Sequence, residues 1–354
     1  MKKILILTWS YWHWHNAAAY NLKYWREQQG YEVKLIDMVE FAGVFAKGAQ
    51  KFLMTTSERA PYIWEKTFDL FDSHIARDLM FSIRPVVYQA RFNNLLQVFR
   101  PNVVIVTFPF WLWFLWKYLK KQDKTFKVGV MVTDSITIHQ TRYLNEQFVD
   151  RRFVIDKYSK HLFLQKFKVT EDKVVVSFFP LLPNKFKDKT AITWKNILML
   201  LSYTLDEEYV RWVVELLQRI KWLNLTIIKG RAPEMFKELK EDFKNMNNIN
   251  FVDFIPLVDE FWRKDWIYIG KPGGATMSEA IATDTPMIIP AYYPGQEQGN
   301  LKLLEMVEVG FYIPDPALTY TFVKYLDWNK ILPNFRTVKK KNSLEIIHNA
   351  LFWK

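Results

Sequence analysis

Chemistry is most concentrated late in the chain, in Lys271-Pro-Gly-Gly-Ala-Thr-Met-Ser-Glu-Ala280, followed by Pro286-Met-Ile-Ile-Pro290 and Tyr293-Pro-Gly-Gln-Glu-Gln-Gly-Asn300. A strand enters a Gly-Gly turn that opens a helix near Thr276. Gly273 and Gly274 let backbone come close to a ligand, and the free N–H groups and dipole of a helix start favour phosphate. Glu279, one turn into that helix, suits the diol of a ribose. Equally, Thr276-x-x-Glu279 is a capping box that would commit Glu279 to the helix terminus. Gly295 opens a second turn presenting Gln296 and Glu297, side chains suited to sugar hydroxyls. Phosphate, ribose and sugar contacts on successive loops describe a nucleotide-sugar site.

Two further segments carry chemistry. His13 and His15 lie in the polar, aromatic turn Ser10 to Asn16. An imidazole with a pKa near neutrality can take a proton from a hydroxyl, although His15 would also serve as a helix cap or as packing. Farther on, Lys117, Lys120, Lys121 and Lys124 fall on one helical face, with Leu112, Leu115, Trp116 and Leu119 about 130° around the same helix. With Trp111 and Trp113 nearby, this reads either as an interfacial helix among anionic headgroups or as an ordinary helix with its stripe in the core. A second basic cluster, Lys339-Lys-Lys341, precedes a last helix.

These residues need elements to hold them. Lys3 to Thr8 reads as a buried strand, Ala17 to Gln29 as a helix stopped by Gly30, and Tyr31 to Asp37 as a second strand, which makes a βαβ unit. Strands follow at Val103 to Thr107 and Lys127 to Thr133, so a parallel sheet is expected. The polar, basic stretch Pro183 to Thr190 marks a domain boundary, beyond which a new βα rhythm starts at Asn196 to Leu201. There a helix from Asp206 to Ile220 has the apolar residues Leu205, Tyr209, Trp212, Val213, Leu216, Leu217 and Ile220 at helical spacing behind a Thr204-x-x-Glu207 capping box. Strands are expected at Leu225 to Ile228, Asn250 to Phe254 and Trp266 to Ile269. The predicted domains are residues 1–185 and 191–335, with a helix in 336–354 crossing back to the first.

Composition narrows the classes. The 354 residues include 49 Lys plus Arg against 37 Asp plus Glu, a formal charge of +12, and no cysteine. Disulfide scaffolds, Cys-ligated zinc, iron–sulfur clusters and thiol nucleophiles are excluded. Basic charge with 17% aromatic residues points to an anionic partner, a membrane face or nucleic acid. No nucleic-acid motif is found, and no G-x-G-x-x-G follows the first strand, which disfavours a nicotinamide cofactor. MKKILILTW lacks a cleavage site for a secretory signal, and the apolar run Val103 to Trp116 contains Pro109 and falls short of the roughly 20 residues of a spanning helix.

The stretch KPGGATMSEAIATDTPMIIPAYYPGQEQGN resembles the signature of the glycosyltransferases that include monogalactosyldiacylglycerol synthase, the processive diacylglycerol glucosyltransferases and, more distantly, the lipid II-forming N-acetylglucosaminyltransferase. Pro101-Asn-Val-Val-Ile-Val-Thr-Phe-Pro109, Val132-Thr-Asp134 with His139, and Ile228-Lys-Gly-Arg231 extend the resemblance over nearly the whole chain. It implies an α/β chain of GT-B type, two Rossmann-like domains facing a cleft, with the acceptor and membrane on the first and the UDP-sugar on the second. It also implies that Gly273, Gly274 and Thr276 lie near a diphosphate, Glu279 on the ribose, Gln296 and Glu297 on the donor sugar, and Phe254-Ile255 on uracil. Lys229, Gly230, Arg231 and Asn300 join the donor set. Where relatives carry glycine loops this chain has Trp12 and Trp14, and Leu201-Ser-Tyr-Thr-Leu205, whose Ser202 and Thr204 hydroxyls would substitute.

His15 stands where the family has a histidine, as base or acceptor orienter, with His13 as runner-up. Asp134 and His139 serve either function or loop capping. The implied activity is inverting transfer of glucose or galactose from UDP-glucose or UDP-galactose to diacylglycerol or its glycosylated product. The lipid acceptor would be met at an anionic membrane surface, peripherally on the cytoplasmic inner face, through Trp111, Trp113, Trp116 and the four lysines. No metal or other cofactor is expected, because backbone N–H groups would take the leaving charge, and no nucleic acid. The alternatives are transfer to an isoprenoid-linked peptidoglycan precursor, or a non-catalytic membrane-binding module on a decayed transferase scaffold.

Overall fold

The computed structural model describes residues 2–10, 13–43, 47–48, 51, 55, 66, 86–136, 146–186, 188, 195–253 and 266–352. The chain forms two compact units: residues 1–182 with 294–296 and 342–354, and residues 183–293 with 297–341.

The first unit is a six-stranded parallel sheet in the order β2-β1-β3-β4-β5-β6. Its elements are β1 (Lys3–Thr8), α1 (His13–Glu27), β2 (Glu32–Asp37), α2 (Val86–Phe99), β3 (Val103–Val106), α3 (Trp111–Leu119), β4 (Lys127–Met131), β5 (Arg151–Val154), α4 (Lys157–Lys166) and β6 (Val174–Val176). The central strands β1 and β3 are near-continuous apolar runs because both sheet faces are covered there; Ile4, Leu5, Ile6, Leu7, Val104 and Ile105 are fully buried. Helix α1 starts at His13, ahead of the expected Ala17, so His15 stands in its first turn.

One face of this sheet packs Ile4, Ile6, Val103, Ile105, Met131 and Phe153 against Ala19 and Leu22 of α1 and against Leu344, Ile347 and Leu351 of the C-terminal helix, Ser343–Phe352. A Cβ at Gly129 of β4 would lie 3.1 Å from the Leu351 side chain, so this strand position is bare to admit that helix. Arg26 is wholly buried beside it, its guanidinium 4.7 Å from the Trp25 ring centre and 4.8 Å from that of Phe352, and hydrogen-bonded to His348. Burial pulls this guanidinium down to about 10.

The second unit is also six parallel strands, in the order β12-β11-β10-β7-β8-β9. They are β7 (Asn196–Leu200), α5 (Glu207–Leu217), β8 (Asn224–Ile228), α6 (Pro233–Asp242), β9 (Ile249–Val252), β10 (Trp266–Ile269), α7 (Gly274–Ala282), β11 (Met287–Ile289), α8 (Gln298–Met306), β12 (Gly310–Tyr312) and α9 (Pro316–Tyr325). Helix α5 corrects two expectations. Its cap is Asp206, whose carboxylate accepts from the Tyr209 N–H, while the Thr204 hydroxyl instead bonds Ser202 at 2.7 Å. Trp212 is 60% exposed, off the buried stripe of Tyr209, Val210, Val213, Val214 and Leu217. In both sheets the strand order reverses beside the first strand, between β1 and β3 and between β7 and β10. Ligands of open α/β sheets bind outside the carboxyl ends of the strands at such a switch point.

Candidate functional site

In the second unit the switch point is built from the loop after β7, residues 201–205, and the turn after β10. The first loop is tied down through Gly230, whose φ is +53°. A Cβ there would lie 1.9 Å from the Leu201 carbonyl oxygen, so only glycine lets the Arg231 N–H reach that carbonyl at 3.2 Å. Ser202 is buried and Thr204 half-buried. Lys229 is ion-paired with Asp253 at 3.6 Å.

The turn after β10 is fixed from beneath. The Tyr268 hydroxyl donates to the Lys271 carbonyl at 3.2 Å, and Asn300 Nδ2 donates to the Pro272 carbonyl at 3.0 Å. Burial and the charge of Glu297 push the Tyr268 phenol well above its usual range, so it remains a donor. Asn300 is fully buried and serves the turn rather than an open sugar subsite.

Helix α7 then starts at Gly274, with Gly273 as its N-cap at φ −62° and ψ 145° and no side chain capping it. Its first helical hydrogen bond is Met277 N–H to the Gly273 carbonyl, at 2.8 Å. The N–H groups of Gly274, Ala275 and Thr276 precede that bond, which is the arrangement that receives an anion. Thr276 therefore lies inside the first turn, and the capping-box reading of Thr276-x-x-Glu279 is overturned. Glu279 is half-buried, 3.9 Å from Lys185 Nζ. The second turn brings Glu297 to the first: its side chain has no exposure, it is ion-paired with Lys271, and its other oxygen accepts the Tyr293 N–H at 3.0 Å. Gln296 is buried and its Oε1 has no hydrogen-bond partner among the described residues.

In the first unit the switch point gathers His15, Trp9, Phe108, Phe110 and Thr133. His15 is 8% exposed, with Nδ1 3.0 Å from Thr133 Oγ1 and its ring edge-on to Phe108 at 4.9 Å. Desolvation drives its pKa down to about 3, opposed by a hydrogen bond to the Thr107 backbone, which corrects the expectation of near-neutral titration. Trp9 packs on Phe108 at 4.9 Å and Phe110 at 5.6 Å, an apolar wall next to the imidazole. Asp134 is half-buried just past β4. His139, Phe254, Ile255, Trp12 and the side chains of His13 and Trp14 lie outside the described residues.

The helix assigned to the membrane is corrected in part. Trp111, Leu112, Trp113, Phe114 and Leu115 of α3 are all buried. Trp111 donates to the Thr8 carbonyl at 2.7 Å and lies 5.2 Å from Phe41 and 5.7 Å from Phe92, so it is core of the first unit and no headgroup anchor. Trp116 alone of the three tryptophans is partly exposed, with Lys120 Nζ 3.7 Å above its ring. Lys117, Lys120 and Lys121 are exposed, and Lys124 is ion-paired with Asp150 at 2.6 Å. The Lys339–Lys341 cluster is committed within the second unit: Lys339 pairs with Asp284 and Asp188, and Lys341 with Asp188.

Sequence reasoning left Tyr268 and Lys271 unassigned. Lys271 heads the glycine motif, a cation at the lip of a glycine turn, which was a usable signal; its acid lies 26 positions away and was not.

Comparison with known proteins agrees with the fold. Residues 15–181 match the family described as monogalactosyldiacylglycerol (MGDG) synthase. The processive diacylglycerol beta-glucosyltransferase of Bacillus pumilus is 24% identical over 315 residues, 86% of this chain and 81% of the relative. That of Bacillus cereus is 27% identical over 332 residues, 89% and 83%. Among solved structures, the S. aureus MnaA–UDP complex superposes with a TM-score of 0.60 at 14% identity, covering 99% of this chain and 96% of that one. Acinetobacter baumannii MurG gives 0.61 at 10% identity over 99% of both. The fold is GT-B, and the resemblance read from the glycine motifs is to the diacylglycerol glycosyltransferases.

Proposed function

We propose that the chain is an inverting glycosyltransferase that moves a hexose from a UDP-sugar to diacylglycerol or a glycosyl-diacylglycerol at a membrane surface. The observation that carries this reading is the open N-terminus of α7 at the switch point of the second sheet, with the glycine turn that leads into it. Relatives named as processive diacylglycerol beta-glucosyltransferases support the acceptor class and favour glucose over galactose.

In the reaction the acceptor hydroxyl oxygen bonds to the anomeric carbon as the bond from that carbon to the diphosphate breaks, and the electron pair leaves with UDP. The hydroxyl proton goes to a base on the acceptor side. His15, neutral because it is buried, is the assigned base or orienter. Amides of the α7 first turn receive the diphosphate, so the reading requires no metal. Glu279 suits the ribose diol, and the unpartnered Gln296 Oε1 suits a hydroxyl of the sugar. Exposed Lys117, Lys120 and Lys121 supply attraction to anionic headgroups on the cytoplasmic face. Among the described residues no helix is long and apolar enough to cross a membrane. Transfer to an isoprenoid-linked precursor has only the fold likeness to MurG in its favour.

The test is incorporation of label from UDP-glucose and UDP-galactose into lipid extracts, with diacylglycerol and undecaprenyl acceptors in parallel. Counts in the diacylglycerol arm, reduced in Glu279→Ala together with its UDP affinity, are expected. Absence of counts in every arm refutes the reading.

A further inference from the structure

We infer that Lys271 is the side chain that receives the diphosphate of the donor, and that Glu297 positions it rather than contacting the sugar. The inference rests on the donor site proposed above and names a residue of that site to which no role has been given.

Glu297 has no free face. Its side chain is wholly buried, one oxygen pairs with the Lys271 ammonium, and the other accepts the Tyr293 N–H at 3.0 Å. A buried carboxylate engaged through both oxygens cannot turn to a hydroxyl without giving up the Lys271 ion pair or the Tyr293 N–H, and loosening the partners of a buried charge is costly. What Glu297 does is fix an ammonium in space. Lys271 Nζ also lies 5.1 Å from the centre of the Tyr293 ring, a second restraint from the same turn.

The place in which it is fixed is informative. A Cβ on Gly273 would come within 3.2 Å of Lys271 Nζ and 3.4 Å of Glu297 Oε1. The ion pair therefore lies directly over Gly273, the N-cap of α7, and the bare glycine is what makes room for it. The backbone beneath is held at both neighbouring carbonyls, Lys271 by Tyr268 and Pro272 by Asn300. A preorganised ammonium thus borders a helix start that no side chain caps. Two charge-assisted donors, one side chain and one run of amides, converge where a diphosphate would sit.

When the bond from the anomeric carbon to oxygen breaks, the electron pair settles on the β-phosphate oxygen, and Lys271 donates hydrogen bonds to that charge. The acceptor's proton goes elsewhere, to the base. Interactions that strengthen as this charge grows raise kcat as well as affinity.

The experiment compares UDP with uridine by titration calorimetry on wild type, Lys271→Met, Lys271→Arg, Glu297→Gln and the K271M/E297Q double variant, which leaves neither charge buried alone. Lys271→Met and the double variant are expected to lose roughly 10- to 100-fold in UDP affinity and little in uridine affinity. Lys271→Arg should recover part of the loss. Glu297→Gln should lower kcat at unchanged acceptor KM and narrow the UDP-over-uridine preference, which a merely structural role would leave intact. A folded Lys271→Met or double variant that keeps the wild-type preference for UDP overturns this inference alone. Wild type that binds neither compound overturns the donor-site reading and this inference with it.

Discussion

Replacing His15 with asparagine should flatten the acid sensitivity of the first unit. In the folded chain burial holds the imidazole at about 3, against an ordinary value of 6.5. A group whose pKa is depressed on folding contributes stability above its unfolded value and loses it as pH falls toward the folded one, because the unfolded chain binds the proton first. The window is therefore pH 6.5 down to about 3. At pH 5 the fall is one and a half pH units at about 1.4 kcal/mol each, so wild type gives up about 2 kcal/mol through His15 alone. The variant does not, although at pH 7 it lacks the contact to Thr133. Urea unfolding at pH 7, 6 and 5, followed by tryptophan fluorescence and circular dichroism, measures the difference between the two slopes. Equal losses in wild type and variant would refute the reasoning. The same burial keeps the ring in its neutral, proton-accepting form through the physiological range.

Two other substitutions test particular contacts. Gly230→Ala must force a Cβ against the Leu201 carbonyl in a left-handed conformation, so a loss of about 1–3 kcal/mol and a parallel fall in UDP affinity are expected in thermal melts and titrations; unchanged values in both would show the Leu201–Leu205 loop is not held through this position. Trp111→Ala removes a fully buried ring and its bond to Thr8, at a cost of about 3–5 kcal/mol in denaturant midpoint times slope. If instead it weakens vesicle co-sedimentation at unchanged stability, Trp111 faces lipid after all.

Much of the fold was legible because strand β1 and the strand before the glycine motif are uninterrupted apolar runs with clear stops, and their bounds, Lys3–Thr8 and Trp266–Ile269, match the structure. The short strands Arg151–Val154, Val174–Val176 and Gly310–Tyr312 escaped because three or four residues carry no measurable period. Helix α3 shows the limit of a wheel: Trp111 and Trp113 fall where neither periodicity nor composition separates a core from a bilayer, since both reward the same apolar surface. The capping-box pattern misled twice, at Thr204 and Thr276. In the first case Asp206 offered a better acceptor two residues closer to the helix; in the second, Gly273 could assume the cap geometry without a side chain. The Lys271–Glu297 pair was illegible because only the packed sheet brings the two turns together.

The last helix supplies Leu344, Ile347 and Leu351 to a core otherwise made from the opening half of the chain. A ribosome emits that opening half first and the completing helix last, with the second unit in between. The early sheet must therefore wait, its face over Gly129 uncovered, while the other unit is synthesised and folds. Stalling or truncation before residue 342 would strand an adhesive apolar surface, so chaperone dependence should track translation of the tail rather than of the sheet it covers.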